Sequence, residues 1–309
     1  LSNQAEQNQS IPPPLYFHYA GKTDTGIVRD HNEDAFVLPH ETDLVNLDKK
    51  GYLYIVADGM GGHHKGEVAS NTTVDAVSTA YYAKIEPLTT ADPEKTIINA
   101  LADAIQEANF KVLEATQGGG TTIVAAVLYD NLLVMMNVGD SRAYLLRHGE
   151  LQLLSRDHSL VSRLVEMGRI SPEEALTHPR RNVLYQALGQ GSDLEIHTAI
   201  VEIELDDVII LCSDGLWGEV SESAIQDVLL EVSDPSAALQ RLIELANESG
   251  GLDNITAIII TVSDQEAPPA YPSEHRSPPQ PTAVDDTRPS VAAMSKEDDS
   301  HATPEWQDE

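Results

Sequence analysis

Between residues 34 and 262 short runs rich in β-branched and aromatic residues are punctuated by turn signals. The runs at 34–38, 52–57, 122–128, 132–138, 142–146, 150–154, 208–211 and 255–262 predict strands. Tyr129-Asp130-Asn131, Gly139-Asp140 and His148-Gly149 are short joins of turn-forming residues, so the middle of the chain reads as an antiparallel meander. A different period governs residues 67–85, 93–116 and 235–247. Ile98, Leu101, Ile105, Ala108 and Val112 recur there at three- and four-residue spacing, which predicts helices with one oily face each, the second of them capped by Asp92. Such faces need a sheet to cover. Consecutive antiparallel strands with helices in separate pairs predict an α+β sandwich, not the strict alternation of a doubly wound fold.

The pattern fades at both ends. The first residues are rich in Gln and Asn and finish in Pro12-Pro13-Pro14, and from Asp264 onward Pro, Ser and acidic residues replace apolar periodicity. The expected organisation is a flexible segment at 1–14, one working domain at 15–263 and a disordered, Pro-rich acidic tail at 264–309.

Composition narrows the function. Hydrophobic residues make up 41% and charged residues 22%, as in ordinary globular proteins. With 50 acidic against 19 basic residues the net charge is −31, which excludes a general polyanion-binding role and puts nucleic acid and anionic membranes aside. An enzyme this acidic acting on an anionic substrate would need bound cations to offset the repulsion. The single cysteine, Cys212, excludes an internal disulfide framework and a cysteine-based zinc site, and suits a reducing cytosol. No apolar run approaches the roughly 20 residues of a membrane-spanning helix, and no leader pattern follows Leu1. A cytoplasmic monomer without membrane insertion is expected.

The acids fall at predicted strand ends. Asp34 precedes the strand at 34–38, Asp58 ends the one at 52–57, and Asp140 follows the one at 132–138. Asp214 follows the strand at 208–211 and Asp253 opens the last one. Carboxylates at strand termini can converge at one sheet edge, where ionised neighbours disfavour each other unless protonated or neutralised. Oxygen ligation without cysteine favours hard cations, Mg²⁺ or Mn²⁺. Gly59 lets the backbone approach closely and can offer its carbonyl as a ligand. Two ions about 3.5 to 4 Å apart, bridged by one carboxylate, would acidify a shared water into a hydroxide nucleophile.

A lone Asp-Gly after a strand is more often a turn or cap than a ligand; here several acids share one structural position and three have glycine beside them. Arg29, just ahead of Glu33 and Asp34, can grip two phosphate oxygens in its planar fork, although alone it would read as a surface ion-pair residue. His63-His64 reads as a pair of exposed loop histidines, since sequence neighbours rarely point the same way. The stretch 59–66 lacks P-loop order. No arginine follows Cys212 through Gly218, which argues against a cysteine phosphatase. Gly118-Gly119-Gly120-Thr121-Thr122 leads into a strand and reads as a structural turn.

Eight strings occur in a recognisable order: Val28-Arg29 to Asn32-Glu33-Asp34, Val56-Ala57-Asp58-Gly59-Met60-Gly61-Gly62-His63, Gly120-Thr121-Thr122, Val138-Gly139-Asp140-Ser141-Arg142-Ala143-Tyr144, Asp157-His158-Ser159-Leu160-Val161, His178-Pro179-Arg180-Arg181-Asn182-Val183-Leu184 to Ala187-Leu188-Gly189, Cys212-Ser213-Asp214-Gly215-Leu216, and Asp253-Asn254-Ile255-Thr256. With them the chain resembles the metal-dependent protein phosphatase (PPM, or type 2C) family, most closely the bacterial serine/threonine phosphatases that oppose bacterial Ser/Thr kinases. The resemblance implies an αββα sandwich of two central antiparallel sheets flanked by pairs of helices. It implies hydrolysis of phosphoserine and phosphothreonine in partner proteins, by direct attack of a hydroxide bridging two Mn²⁺ or Mg²⁺ ions, with a third ion in bacterial members. Asp58 would bridge both ions, Gly59 would give its carbonyl, and Asp214 and Asp253 would complete one ion. Glu33 and Asp34 would hold metal-bound waters or the second ion, Asp140 with Asp214 would serve the third, and Arg29 would bind phosphate. Residues 168–182 look like the flap beside the cleft. One position departs: some members carry a histidine two residues after the bridging aspartate, and this chain has Met60. The leaving-group acid is left open between metal-bound water and a nearby histidine such as His31.

Overall fold

The computed structural model describes residues 14–39, 44–61, 64–89 and 92–266. The segment expected to be flexible at 1–14 and the tail expected at 264–309 fall almost wholly outside the described residues.

Two antiparallel sheets are built from strands rich in Val, Ile, Leu and Tyr. One runs in the order β1 (Tyr16–Asp24), β11 (Ile255–Ser263), β10 (Val208–Cys212), β7 (Arg142–Arg147), β8 (Glu150–Leu153). The other runs β2 (Asp34–Val37), β3 (Tyr52–Met60), β5 (Ile123–Tyr129), β6 (Leu132–Val138), β9 (His197–Glu202), with the short β4 (Gly120–Thr121) also pairing with β3. The period of two assigns each strand's two faces to different cores. From β3, Tyr54 and Val56 point into the inter-sheet core with Leu145, Ile209, Ile258 and Ile260. Leu53, Ile55 and Ala57 turn the other way and meet Val77, Tyr81, Leu101 and Ile105. Those partners belong to α2 (Lys65–Lys84) and α3 (Pro93–Thr116). On the far side Ile210, Ile255 and Ile259 pack on Ile225, Leu239, Leu242 and Ile243, which come from α7 (Glu222–Glu231) and α8 (Pro235–Glu248). Strands buried on both faces read as nearly continuous apolar runs, and each fully buried Leu or Ile stabilises by about 1.5–3 kcal/mol. The result is the expected α+β, αββα sandwich.

Asp92 caps α3 as expected, its carboxylate accepting from the Lys95 N–H at 3.0 Å. The predicted meander needs correction. The strands at 132–138 and 142–147 do not pair: β6 lies in one sheet and β7 in the other, so Gly139-Asp140-Ser141 is a crossover between sheets. A turn signal reports that the chain reverses, not which sheet it joins. Strands β1 and β9 are not predicted because His18, Lys22 and Glu202 interrupt their apolar alternation. Helix α7, N-capped by Ser221, was likewise missed. Among the described residues no helix is long and apolar enough to cross a membrane.

Candidate active site

Pairing rules bring the acids together. Asp34 opens β2 and stands directly opposite Asp58 in the antiparallel register with β3, which extends past Asp58 to Met60. In the other sheet β10 pairs with β11 so that Cys212 lies opposite Ala257. The end of β10 therefore adjoins the start of β11. Asp214 is the first residue of the one-turn α6 (Asp214–Trp217), two residues beyond β10, and Asp253 lies two residues before β11. Asp140 sits on the crossover between the sheets.

The electrostatics of these groups are mutual. Burial lifts the Asp34 carboxyl to about 8, with Asp214 and Asp253 adding to the rise and hydrogen bonds from Thr256 and Ser213 opposing it. Asp58 is held well above the usual carboxylate range by burial and then by Asp34, Asp214, Asp140 and Asp253. Asp140 is raised by burial, then by Asp214 and Asp157. Asp214 is raised by burial and Asp253, and eased by a hydrogen bond with Asp58 and by the charge of Arg29. Glu33 is raised by burial, with Arg29 pulling it back. Two buried oxygens, Asp34 Oδ1 and Asp214 Oδ1, have no hydrogen-bond partner. Buried polar atoms without partners are uncommon and costly. Among the described residues no three acid, imidazole or thiol groups close on a single point as a finished ligand shell. The acids lie close enough to raise one another's carboxyls without closing into such a shell. All-oxygen donors, mutual repulsion and two unpartnered carboxylate oxygens together fit hard divalent cations.

Several residues hold the acids in place, and their neighbours in sequence gave only a faint signal. Ser213 donates its hydroxyl to Asp34 Oδ2 at 2.8 Å and accepts from the Thr256 N–H at 3.0 Å, tying the two sheets together. Thr121 Oγ1 and the Thr122 N–H both donate to the Asp58 carbonyl, at 2.8 and 2.9 Å. The Asp58 N–H donates to Thr122 Oγ1 at 3.0 Å. Gly120 and Thr121, expected to form a turn, are the short strand β4 beside β3, and with Thr122 they clamp the backbone of Asp58, a role of which the sequence carries no sign. Asn254 accepts from the Glu33 N–H and donates to the carbonyls of Thr25 and His31, stapling the loop that carries Arg29 and Glu33 to the start of β11. A side-chain amide or hydroxyl beside each acid was the available clue.

Gly59 is required by close approach. A Cβ there would collide with the backbone carbonyl of Gly66 and lie 2.5 Å from that of Glu33. One at Gly66 would lie 2.8 Å from Glu33 Oε1, so the start of α2 can abut the end of β3 only without side chains.

Arg29 is half-exposed and donates from Nη2 to Asp253 Oδ2 at 2.7 Å. Its ion-pair partner is therefore one of the five acids, and its charge also reaches Glu33 and Asp214. Beside Asp140, whose carbonyl accepts from Trp217 Nε1 at 3.1 Å, the Arg142 guanidinium stacks 3.6 Å from the Trp217 ring centre and pairs with Asp157 at 2.7 Å. His31 is exposed, its ring centre 5.3 Å from that of the exposed His64; His63 lies outside the described residues. Met60 Sδ accepts from Gln190 Nε2 at 3.9 Å. Cys212 is fully buried and its thiol is pushed up to about 12 by burial, so it is no nucleophile. In the stretch 168–182, α5 (Pro172–Leu176) is closed by a Ser171–Glu174 capping box.

Comparison with known proteins bears on the same residues. The family model described as Protein phosphatase 2C matches residues 28–249. The Serine/threonine phosphatase stp of Listeria welshimeri is 39% identical over 249 residues, covering 79% of this chain and 95% of the relative. The crystal structure of Serine/threonine phosphatase Stp1 from Staphylococcus aureus superposes with a TM-score of 0.71 at 33% identity, covering 80% of this chain and 95% of that one. A structure of the catalytic domain of serine threonine protein phosphatase PstP, in complex with 2 manganese ions, gives 0.67 at 34% identity, covering 81% and 99%. On the family match over residues 28–249, which include Asp34, Asp58, Asp140 and Asp214, and on these identities, the chain belongs to the protein phosphatase 2C family.

Proposed function

We propose that this metal-dependent phosphoprotein phosphatase hydrolyses phosphoserine and phosphothreonine in proteins, including those modified by bacterial-type Ser/Thr kinases. The observation that carries the site assignment is geometric: Asp34 stands opposite Asp58 in the β2–β3 register, buried Asp34 and Asp140 and half-buried Asp58 and Asp214 come from both sheets and the crossover, and Asp34 Oδ1 and Asp214 Oδ1 have no hydrogen-bond partner; the mutual charges raise all four carboxyls. Asp58, the carbonyl of Gly59, Asp214 and Asp253 would hold two ions, Mn²⁺ or Mg²⁺, with Glu33 and Asp34 completing the second. Asp140 with Asp214 would serve a third. When bound, such ions neutralise phosphate oxygens and acidify a coordinated water to a nucleophile at neutral pH.

The chain's own residues supply the positioning that phosphoryl transfer chiefly demands. Arg29, tethered to Asp253 and half-exposed, would hold two phosphate oxygens in its guanidinium fork beside the acids, fixing the ester for in-line attack. The clamp of Thr121 and Thr122 fixes Asp58, and Asn254 fixes the Arg29 loop against β11. Ser213 orients Asp34 by donating to one of its oxygens, leaving the other available. The buried, lone Cys212 supports a reducing cytoplasmic setting.

The test is phosphate release from a phosphothreonine peptide with Mn²⁺, with Mg²⁺ and with a chelator. Release should require the cation and vanish in Asp58→Asn. Full activity in that variant would refute the assignment.

A further inference from the structure

Large apolar side chains gather where a soluble protein would be expected to show polar ones. Ile27 is 67% exposed and Val28 60%, both immediately before Arg29, and Leu252 is 51% exposed immediately before Asp253. Their two loops are one rigid unit. The N–H groups of Ile27 and Val28 both donate to the Gly251 carbonyl, at 2.9 and 3.1 Å. Arg29 Nε donates to the Leu252 carbonyl at 3.4 Å. Gly26 at φ +77 and Gly251 at φ +54 interlock: a Cβ on the first would collide with the Asp253 carbonyl, and one on the second would lie 2.8 Å from the Ile27 nitrogen. Those bonds tie the two loops together, yet three aliphatic side chains beside the Arg29–Asp253 pair are left exposed. Scattered exposed aliphatics mean little; here a Cβ on Gly251 would lie 2.9 Å from Ile27 Cγ1, which sets Ile27 against the loop that carries Leu252, and exposed apolar groups drawn together beside a site mark binding surfaces.

We infer that Ile27, Val28 and Leu252 form a specificity platform that receives an apolar side chain flanking the phosphorylated residue of a substrate protein. The inference rests on the reading of Arg29 as the phosphate-binding residue. Ile27 and Val28 directly precede that arginine and the Leu252 carbonyl accepts from its Nε, so residues flanking a phosphate gripped by Arg29 come within reach of the platform. An extended chain advances about 3.3 Å per residue, so a neighbour one or two positions from the phosphoresidue falls within the span of the platform. The aliphatic surface itself selects the occupant among uncharged flanks: a neutral polar flank gains nothing from it, while an apolar one is removed from water. The net charge of −31 acts on charged flanks alone, repelling acidic and attracting basic ones, so both test peptides are kept uncharged there.

The experiment compares two phosphothreonine peptides that differ only by Leu or Gln at the flanking positions, both uncharged, with the Mn²⁺-loaded full chain. Each kcat/KM is scaled to that for p-nitrophenyl phosphate, which has no flanking residues. Wild type should favour the Leu peptide about tenfold, corresponding to about 1.4 kcal/mol. In the double variant Ile27→Ser/Leu252→Ser the preference should fall to within about twofold of unity, while Ile27→Val/Leu252→Met should retain it. Equal treatment of the two peptides by wild type, or a preference that survives the serine variant, overturns the platform and leaves the phosphatase reading intact. Should sedimentation instead show a concentration-dependent dimer that the serine variant abolishes, the surface serves self-association and the inference is equally overturned. Absence of phosphate release from every substrate would defeat the reading of the site itself, and the platform with it.

Discussion

The two ends of the same sheet treat their aspartates in opposite ways. At one end Asp207, 1% exposed and just ahead of β10, receives Arg147 through Nη2 at 2.6 Å and Nε at 2.9 Å, and the Glu204 N–H at 2.8 Å. At the other end Asp214, just beyond β10, faces Asp58, Asp140 and Asp253, and one of its oxygens has no partner. A buried acid whose guanidinium and amide partners satisfy it has finished its work when the chain folds. A group of buried acids that mainly meet each other has not, because a compensating charge must come from outside the chain. The contrast separates a structural carboxylate from a functional one more cleanly than either burial or sequence context does.

The sharpest way to break this contrast is at Asp58. Asp58→Asn keeps the shape and removes one charge from the shared site, and phosphate release from a phosphothreonine peptide should fall at least about 10³-fold, in line with the loss of a group acting directly on charge development. Gly59→Ala should follow, since the added methyl meets two backbone carbonyls that cannot swing away. A loss of activity of about 10²-fold is expected, with Mn²⁺ affinity measured by calorimetry weakened in parallel.

Asp207→Ala should do the reverse. Removing one partner of a buried pair costs about 2–4 kcal/mol, read as a fall in Tm of about 5–10 °C, while kcat on small phosphate esters stays within about twofold. A large activity loss without a Tm change would erase the distinction between the two ends.

The pH dependence of stability provides a finer probe. In chelator-treated protein the carboxyls of Asp34, Asp58, Asp140 and Asp214 sit above their unfolded values, Asp34 at about 8 against 3.8. The folded state then binds protons that the unfolded chain releases, so stability should fall as pH rises from about 4 to about 8. Mn²⁺ should cancel this slope, raising Tm more at pH 8 than at pH 5 in differential scanning fluorimetry. Equal metal-induced shifts at both pH values would contradict the assignment. The smallest effect should come from Thr122→Val, which removes the hydroxyl accepting from the Asp58 N–H. A cost of about 1 kcal/mol is expected, with a several-fold loss in kcat and little change in KM.

Much of this was legible in the residues. The apolar period separated strands 52–57, 132–138 and 255–262 from the helices at 93–116 and 235–247, and the acids at strand ends already suggested a cluster. Strands β1 and β9 were hidden because His18, Lys22 and Glu202 break their apolar alternation. The role of Thr121 and Thr122 was hidden because a backbone clamp leaves no pattern in the clamped residue. Arg29 was legible as a cation near Glu33, but its partner Asp253 lies 224 positions away, a separation that no local spacing encodes.

What the sequence determined by itself was the inventory: which segments bury apolar faces, which acids stand at their ends, and that the absence of cysteine chemistry points to hard cations. These are local properties, set by side-chain period and type. Tertiary structure alone decided that β6 and β7 part company at Asp140, that β2 and β3 set Asp34 opposite Asp58, and that the loop of Ile27 and Val28 is tied to the one carrying Gly251, Leu252 and Asp253. Those outcomes depend on strand register and on packing between distant segments, whose free energy belongs to the pair and to neither segment alone.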